Sequence, residues 1–146
     1  GLLTAGRHTG FMEPDAGDLT DGQNREILTA VKVESGLAVE NIEEGAATPG
    51  LDAILMGRTD LSATIGIPGQ TRHPDIDDAV ERMLAAAKRH GVAAGPHIGS
   101  IDEALEWADK GATFMSYGYD GDMLLQASKQ FVGGVRELLG DRLVDF

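Results

Sequence analysis

The sequence predicts an α/β fold on a parallel sheet, and three observations predict it. Short apolar, β-branched runs alternate with longer runs of helical period, so that strand and helix succeed one another four times. Alternation of this kind argues for parallel strands with helices outside. Twenty glycines fall mostly at the ends of the apolar runs and mark turns rather than low complexity. Each strand–helix unit takes roughly 30 residues, the repeat of a (β/α)8 TIM barrel, which closes at ~250 residues. Four units in 146 residues therefore amount to half a barrel. A doubly wound sheet is the competing fold. It would need a phosphate-binding glycine loop after the first strand, and Glu34-Ser35-Gly36 is not one.

Taken in order, residues 1–24 are rich in Gly, Asp and Thr without sustained periodicity. They read as a loop with one helical turn near Asp21–Arg25, long for a compact domain. The four units occupy residues 25–146. Ile27–Glu34 has strand character and Leu37–Ala46 reads as a short helix. Asp52–Gly57 holds the buried run Ala53-Ile54-Leu55-Met56, a second strand. Pro74–His90 carries Ile76, Val80, Met83, Leu84 and Ala87 on one helical stripe, with Pro74 suited to the first turn and Gly91 to the position after the last. Val92–Gly95 is the third strand. Ser100 followed by Glu103 opens a helix as a capping box, and Gly111 ends it. Ala112–Tyr117 is the fourth strand. Leu124–Leu139 is the last helix, capped by Asp120 or Asp122, with Ala127, Phe131, Val135 and Leu138 along one face.

Composition narrows the function. Apolar residues make up 42% but aromatics only 5%, so the core must be built from Ala, Leu, Ile and Val. The formal charge of −12 repels phosphate backbones and argues against nucleic acid. Without cysteine there is neither a disulfide framework nor a thiolate metal site. No apolar run approaches the ~20 residues of a membrane-spanning helix, no basic amphipathic stretch suggests a membrane surface, and no signal-type stretch is found. A cytoplasmic protein is expected.

Two acidic residues stand out by position. Glu34 ends the first strand and Asp60 follows the second, about one βα unit further on. In a barrel both carboxylates would lie on neighbouring strands at the C-terminal face, where active sites are built. Carboxylates side by side repel unless they share a proton or a hard divalent cation such as Mg²⁺ or Mn²⁺. Spacing also allows a plainer reading, with Glu34 at a helix start and Asp60 in a turn.

The stretch Val31–Glu34, followed by Met56-Gly57-Arg58-Thr59-Asp60-Leu61-Ser62-Ala63-Thr64-Ile65-Gly66, resembles the two-motif signature of the HpcH/HpaI aldolase/citrate lyase family. These are class II, metal-dependent pyruvate aldolases of the 4-hydroxy-2-oxo-heptanedioate aldolase type. Pro49-Gly50-Leu51-Asp52 and His73-Pro74 add to the match, which runs from about Asn24 to Leu139. The resemblance implies that Glu34 and Asp60 hold a divalent metal (Mg²⁺, Mn²⁺ or Co²⁺). The metal would chelate a 2-oxo acid, and backbone N–H groups of the loop Arg58-Thr59-Asp60 would take its carboxylate. The implied reaction is reversible aldol cleavage of a 2-oxo-4-hydroxy acid to pyruvate, or a related 2-oxo acid, and an aldehyde through a metal-stabilised enolate. A β-hydroxyacyl-CoA lyase of the citrate lyase type is the related alternative, although this acidic chain offers little for the CoA phosphates. A half-barrel assembly module without catalysis is the other.

Two departures bear on that reading. The family pattern has Gln two residues before the metal Glu, where it bonds the 2-oxo acid. Here Lys32 stands there, either contacting a substrate oxygen, paired with a nearby carboxylate, or serving as a Schiff-base lysine. The family's general-base His, its partner Asp and the substrate-orienting Arg belong to the first half of the barrel, so no general base is assigned on this chain. Of the four histidines, His97 follows the third strand and is expected to line the substrate pocket. His73 reads as structural, His90 as a cation at a helix C-terminus, and His8 as a loop residue. Tyr117 and Tyr119 rim the same face as His97. Half a barrel has two open edges. The N-terminal half must be completed by the rest of the polypeptide, by a separate chain or by a second copy, unless the chain is a rearranged, inactive domain. By resemblance the assembly is a homo-oligomer, a hexamer.

Overall fold

The computed structural model describes residues 6–13 and 15–142 of the chain. Four parallel strands, β1 (Ala30–Val33), β2 (Ala53–Met56), β3 (Ala93–Ile98) and β4 (Ser116–Tyr117), lie side by side in the order in which the chain makes them. That order excludes the doubly wound alternative, in which the strand order reverses at a switch point. A sheet that never reverses keeps its crossover helices on one face, as a barrel wall does.

Among the described residues the α-helices are α1 (Ala16–Glu26), α2 (Gly36–Glu40), α3 (Ile42–Ala46), α4 (Arg58–Thr64), α5 (Pro74–His90), α6 (Ile101–Asp109) and α7 (Asp120–Leu139). The core lies between the sheet and α5. Ile76, Val80, Met83 and Ala87 of α5 meet Val33, Ile54, Met56 and Ala94 of the strands in one cluster, closed by Ile42, Leu61 and Trp107. Alternation along the strands sends their other side chains to the opposite face. Lateral pairing sets Lys32, Leu55 and Gly95 in a row there, the face that would be the inside of a barrel.

The fold corrects several expectations. The predicted loop at 1–24 contains a 3-10 turn at Arg7–Thr9 and an eleven-residue helix, α1, instead of one turn at Asp21–Arg25; residues 1–5 and 14 lie outside the described residues. The Asp15 carboxylate starts α1 by accepting from Gly17 and Asp18 N–H. None of its residues is buried, so no apolar stripe announces it. The predicted strand Ile27–Glu34 shrinks to Ala30–Val33, and Leu37–Ala46 splits at Asn41 into α2 and α3. Arg58-Thr59-Asp60, read as loop, form the first turn of α4. The third strand extends three residues beyond Gly95, so His97 lies within β3 and not after it. The fourth strand keeps only its last two residues, because Thr113 and Phe114 N–H both turn onto the single carbonyl of Ala94. Helix α7 begins four residues earlier than expected, with Tyr119 at its cap and Asp120 and Asp122 inside its first turn. Pro74–His90 holds as expected, with His73 Nδ1 accepting from Asp75 N–H at the cap; His73 is structural.

Charges tie the helix layer together. Lys110 bridges Glu81 and Glu106; Arg72 joins Glu106, Glu103 and Asp77. Trp107 is fully buried beside these two cations, with Arg72 Cζ at 5.7 Å and Lys110 Nζ at 4.5 Å from its ring centre. Glu43 of α3 takes both Arg89 and His90 at the end of α5. Helix α7 buries none of its residues; Leu124, Phe131 and Leu138 are exposed.

Candidate functional site

Strand pairing brings the two acidic positions together. Val33 pairs with Met56, so Glu34 and Gly57 emerge side by side from the C-terminal ends of β1 and β2, and Gly57 N–H donates to the Val33 carbonyl at 2.9 Å. Helix α4 starts at once, capped by Gly57, and Asp60 is its third residue. Ser62 fixes this turn. Fully buried, it donates to the Thr59 carbonyl at 2.6 Å and accepts from Gly69 N–H at 3.0 Å. Thr59 and Asp60 remain exposed at the rim. The first N–H groups of any helix lack an intrahelical carbonyl, so Arg58, Thr59 and Asp60 present such groups from a helix turn and not, as expected, from a loop.

The two carboxylates converge on one cation. Lys32 Nζ is ion-paired with Glu34 Oε1 and lies 3.8 Å from Asp60 Oδ2. The hydrogen bond to Glu34 is the main cause of the rise in the Lys32 pKa, opposed by desolvation and helped by the charges of Glu34 and Asp60. Gly57 makes the crossing possible. A Cβ there would stand 2.8 Å from Glu34 Cγ, 2.9 Å from Glu34 Oε1 and 2.9 Å from Lys32 Cε. The donor set is oxygen only. Two carboxylates suit a hard divalent ion whose other positions go to water or substrate oxygens. Among the described residues there is no group of three or more His, Cys, Asp or Glu able to hold a metal.

The expected role of Arg58 was a backbone one, and its side chain has a separate place. Its guanidinium is turned away from the carboxylate pair and is buried. Nη2 donates to the His97 carbonyl at 2.8 Å and to Glu103 Oε2 at 2.9 Å, and Nη1 has no hydrogen-bond partner among the described residues. Burial raises the Glu103 pKa, but the Gly99 N–H and Arg58 outweigh it and the net shift is downward. The Arg58 side chain thus locks the starts of α4 and α6 to the end of β3. A cleft of about 220 Å³ opens beside it, lined by Arg58, Thr59, Thr71, His97, Gly99 and Glu103. His97 borders this cleft. Its ring is half-buried, with Nδ1 2.8 Å from Ser116 Oγ on β4, and alternation puts it on the same sheet face as Lys32 and Gly95. Tyr117 and Tyr119 are exposed at the same end of the sheet.

Gly57, Ser116 and Glu103 were missed as parts of this site. The signal for Gly57 lay in its place between strand and helix. Ser116 shows no local signal, and the capping spacing of Glu103 after Ser100 says nothing of Arg58, because each acts on a residue distant in sequence.

The model of the HpcH/HpaI aldolase/citrate lyase family matches residues 5–127. The chain belongs to this family. A hydroxypyruvate/pyruvate aldolase of Paraburkholderia phytofirmans is 34% identical over 119 residues, 82% of this chain and 46% of the relative. A 5-keto-4-deoxy-D-glucarate aldolase of Klebsiella pneumoniae is 32% identical, across 89% of this chain and 51% of its own length. Among solved structures, an HpcH/HpaI family protein of Burkholderia cenocepacia superposes with a TM-score of 0.80 at 34% identity, covering 93% of this chain and 52% of that one. The chain spans about half the length of the curated relatives it matches. This family member is therefore an α/β chain with a four-stranded parallel sheet, similar to about half of TIM-barrel-type aldolases.

Proposed function

We propose that residues 1–146 form the C-terminal half of a barrel aldolase, and that this half supplies the metal-holding carboxylates for reversible cleavage of a carbon–carbon bond in a 2-oxo-4-hydroxy acid. The observation that carries the reading is the convergence of Glu34 and Asp60 on a single cation at the ends of adjacent parallel strands. Relatives named for hydroxypyruvate, pyruvate and 5-keto-4-deoxy-D-glucarate support a 2-oxo acid as substrate class, with pyruvate or a related 2-oxo acid and an aldehyde as products.

Glu34 and Asp60 would hold Mg²⁺, Mn²⁺ or Co²⁺. Bound there, the ion supplies Lewis-acid polarisation of the oxygens of the 2-oxo acid. The chain's own groups bind and orient. Backbone N–H groups at Arg58, Thr59 and Asp60 take the substrate carboxylate, which favours a helix N-terminus. Lys32 brings a positive charge to the carboxylate pair, and His97, steadied by Ser116, borders the cleft beside Arg58. The Arg58 side chain contributes through position alone, because Glu103 and the His97 carbonyl occupy it. The proton-transfer residues come from the N-terminal half of the barrel, on the same polypeptide or a second chain, within a cytoplasmic homo-oligomer.

The test is exchange of the pyruvate methyl protons for deuterium, followed by nuclear magnetic resonance with the chain in its complete barrel and Mn²⁺ present. Asp60→Ala should abolish both Mn²⁺ binding and exchange. Undiminished exchange in that variant sinks the reading.

A further inference from the structure

We propose that Lys32 is a tethered counter-cation that closes the Glu34–Asp60 pair in the absence of a divalent ion and sets how tightly the chain takes one. The inference rests on the reading of Glu34 and Asp60 as metal-holding carboxylates. Two carboxylates at neighbouring strand ends repel each other unless positive charge lies between them. This chain carries that charge on its own strand. Lys32 Nζ is paired with Glu34 Oε1 and stands 3.8 Å from Asp60 Oδ2.

The placement is built into the backbone. Lys32 and Glu34 are alternate residues at the end of β1, so both side chains leave on the same face. They meet over the bare Cα of Gly57, where a methyl group would collide with Lys32 Cε and with Glu34. Arg58, two residues before Asp60, is held away by Glu103 and the His97 carbonyl. The cluster is open to entering ions: the Lys32, Glu34 and Asp60 side chains are 54%, 38% and 62% exposed.

A divalent ion and an ammonium cannot share these oxygens. For the ion to use both carboxylates, the Lys32 ammonium must swing out, and its charge remains nearby to oppose the newcomer. The ammonium thus keeps the pair assembled and weakens its hold on metal. A neutral side chain at position 32 removes the competitor and leaves the carboxylates in place.

The experiment is a Mn²⁺ titration of the full chain, read by electron paramagnetic resonance of free Mn²⁺ and needing no turnover. Lys32→Gln and Lys32→Met should each bind Mn²⁺ at least about tenfold more tightly than the wild type, Lys32→Arg should stay near wild type, and Glu34→Gln should lose binding. Unchanged affinity in both neutral variants, with binding still lost in Glu34→Gln, overturns the counter-cation and leaves the carboxylate site standing. If neither the wild type nor the neutral variants bind Mn²⁺ saturably, both readings fall. A measurement on the unaltered chain guards against misfolded variants. Saturating Mn²⁺ should speed reductive methylation of Lys32, mapped by mass spectrometry, and an unchanged rate counts against the proposal.

Discussion

Replacing Gly95 by alanine probes how the far side of the site is held. An alanine Cβ at this position would stand 2.2 Å from the Phe114 carbonyl oxygen, 3.0 Å from Met115 Cγ and 3.2 Å from Ala112 Cβ. The first contact decides the outcome, since it is with backbone and a comfortable carbon–oxygen contact needs about 3.3 Å. The segment 112–115 must therefore move off β3 by roughly 1 Å. The Ala94 carbonyl then loses the N–H groups of Thr113 and Phe114, now at 2.9 and 3.2 Å. Two backbone hydrogen bonds at about 1 kcal/mol each and overpacking strain of about 2 kcal/mol give a loss of about 4 kcal/mol. In a chain of this size that lowers Tm by roughly 10 °C. Urea unfolding followed by far-ultraviolet circular dichroism measures it. Gly45→Ala is the matched control. A Cβ at Gly45 of α3 would meet nothing within 4 Å, so a gain of about 0.5–1 kcal/mol is expected. A loss below about 1 kcal/mol for Gly95→Ala would refute the reasoning, because it would mean that 112–115 is not pressed against β3.

Other variants probe other joints. Glu103→Ala strips the buried Arg58 of its carboxylate and should cost about 2–4 kcal/mol in urea unfolding, below the full range for a fully buried pair because Glu103 is partly exposed. Arg58→Met, which leaves Glu103 with Arg72 and the Gly99 N–H, should cost less; the reverse order contradicts this account. Gly57→Ala, with φ at an ordinary −88°, should fold normally yet bind Mn²⁺ about tenfold more weakly, and equal affinity would show that contact over Gly57 is unimportant. Glu43 is held down to about 2, first by the Arg89 hydrogen bond and then by His90. Its folded pKa is depressed, so its contribution is present above the ordinary value of 4.5 and fades as pH falls from there through about 2. Carbon nuclear magnetic resonance of the Glu43 carboxyl should titrate near that low value, and a midpoint at 4.5 or above contradicts the ion pair.

What the sequence made legible follows from range. Pro74–His90 could be read to the residue, since an apolar stripe, a proline at the start and a glycine after the end all act locally. Glu34 and Asp60 could be matched because a strand–helix repeat of steady pitch sets consecutive strands side by side. Helix α1 escaped because it buries nothing and so carries no stripe, and α4 because seven residues after a strand look like a loop until Ser62 is seen tying its turn. The place of the Arg58 side chain was not legible, for a different reason. Its fate depends on Glu103 and the His97 carbonyl, both far along the chain, and no local pattern announces a buried guanidinium. For Lys32, pairing with a nearby carboxylate was among the roles the sequence left open. That it reaches both carboxylates depends on the lack of a side chain on the adjacent strand end.

Trp107 is the single tryptophan of the chain, and its dry position beside Arg72 and Lys110 gives it an optical use. Indole emission reports the polarity and charge around one ring, so the fluorescence of this protein reads the joint between α5 and α6. It is blind to the rim where Glu34 and Asp60 meet. Followed beside circular dichroism, it times the release of the helix layer separately from the melting of the helices. In a metal titration it stays silent unless binding at the rim is felt through the whole sheet.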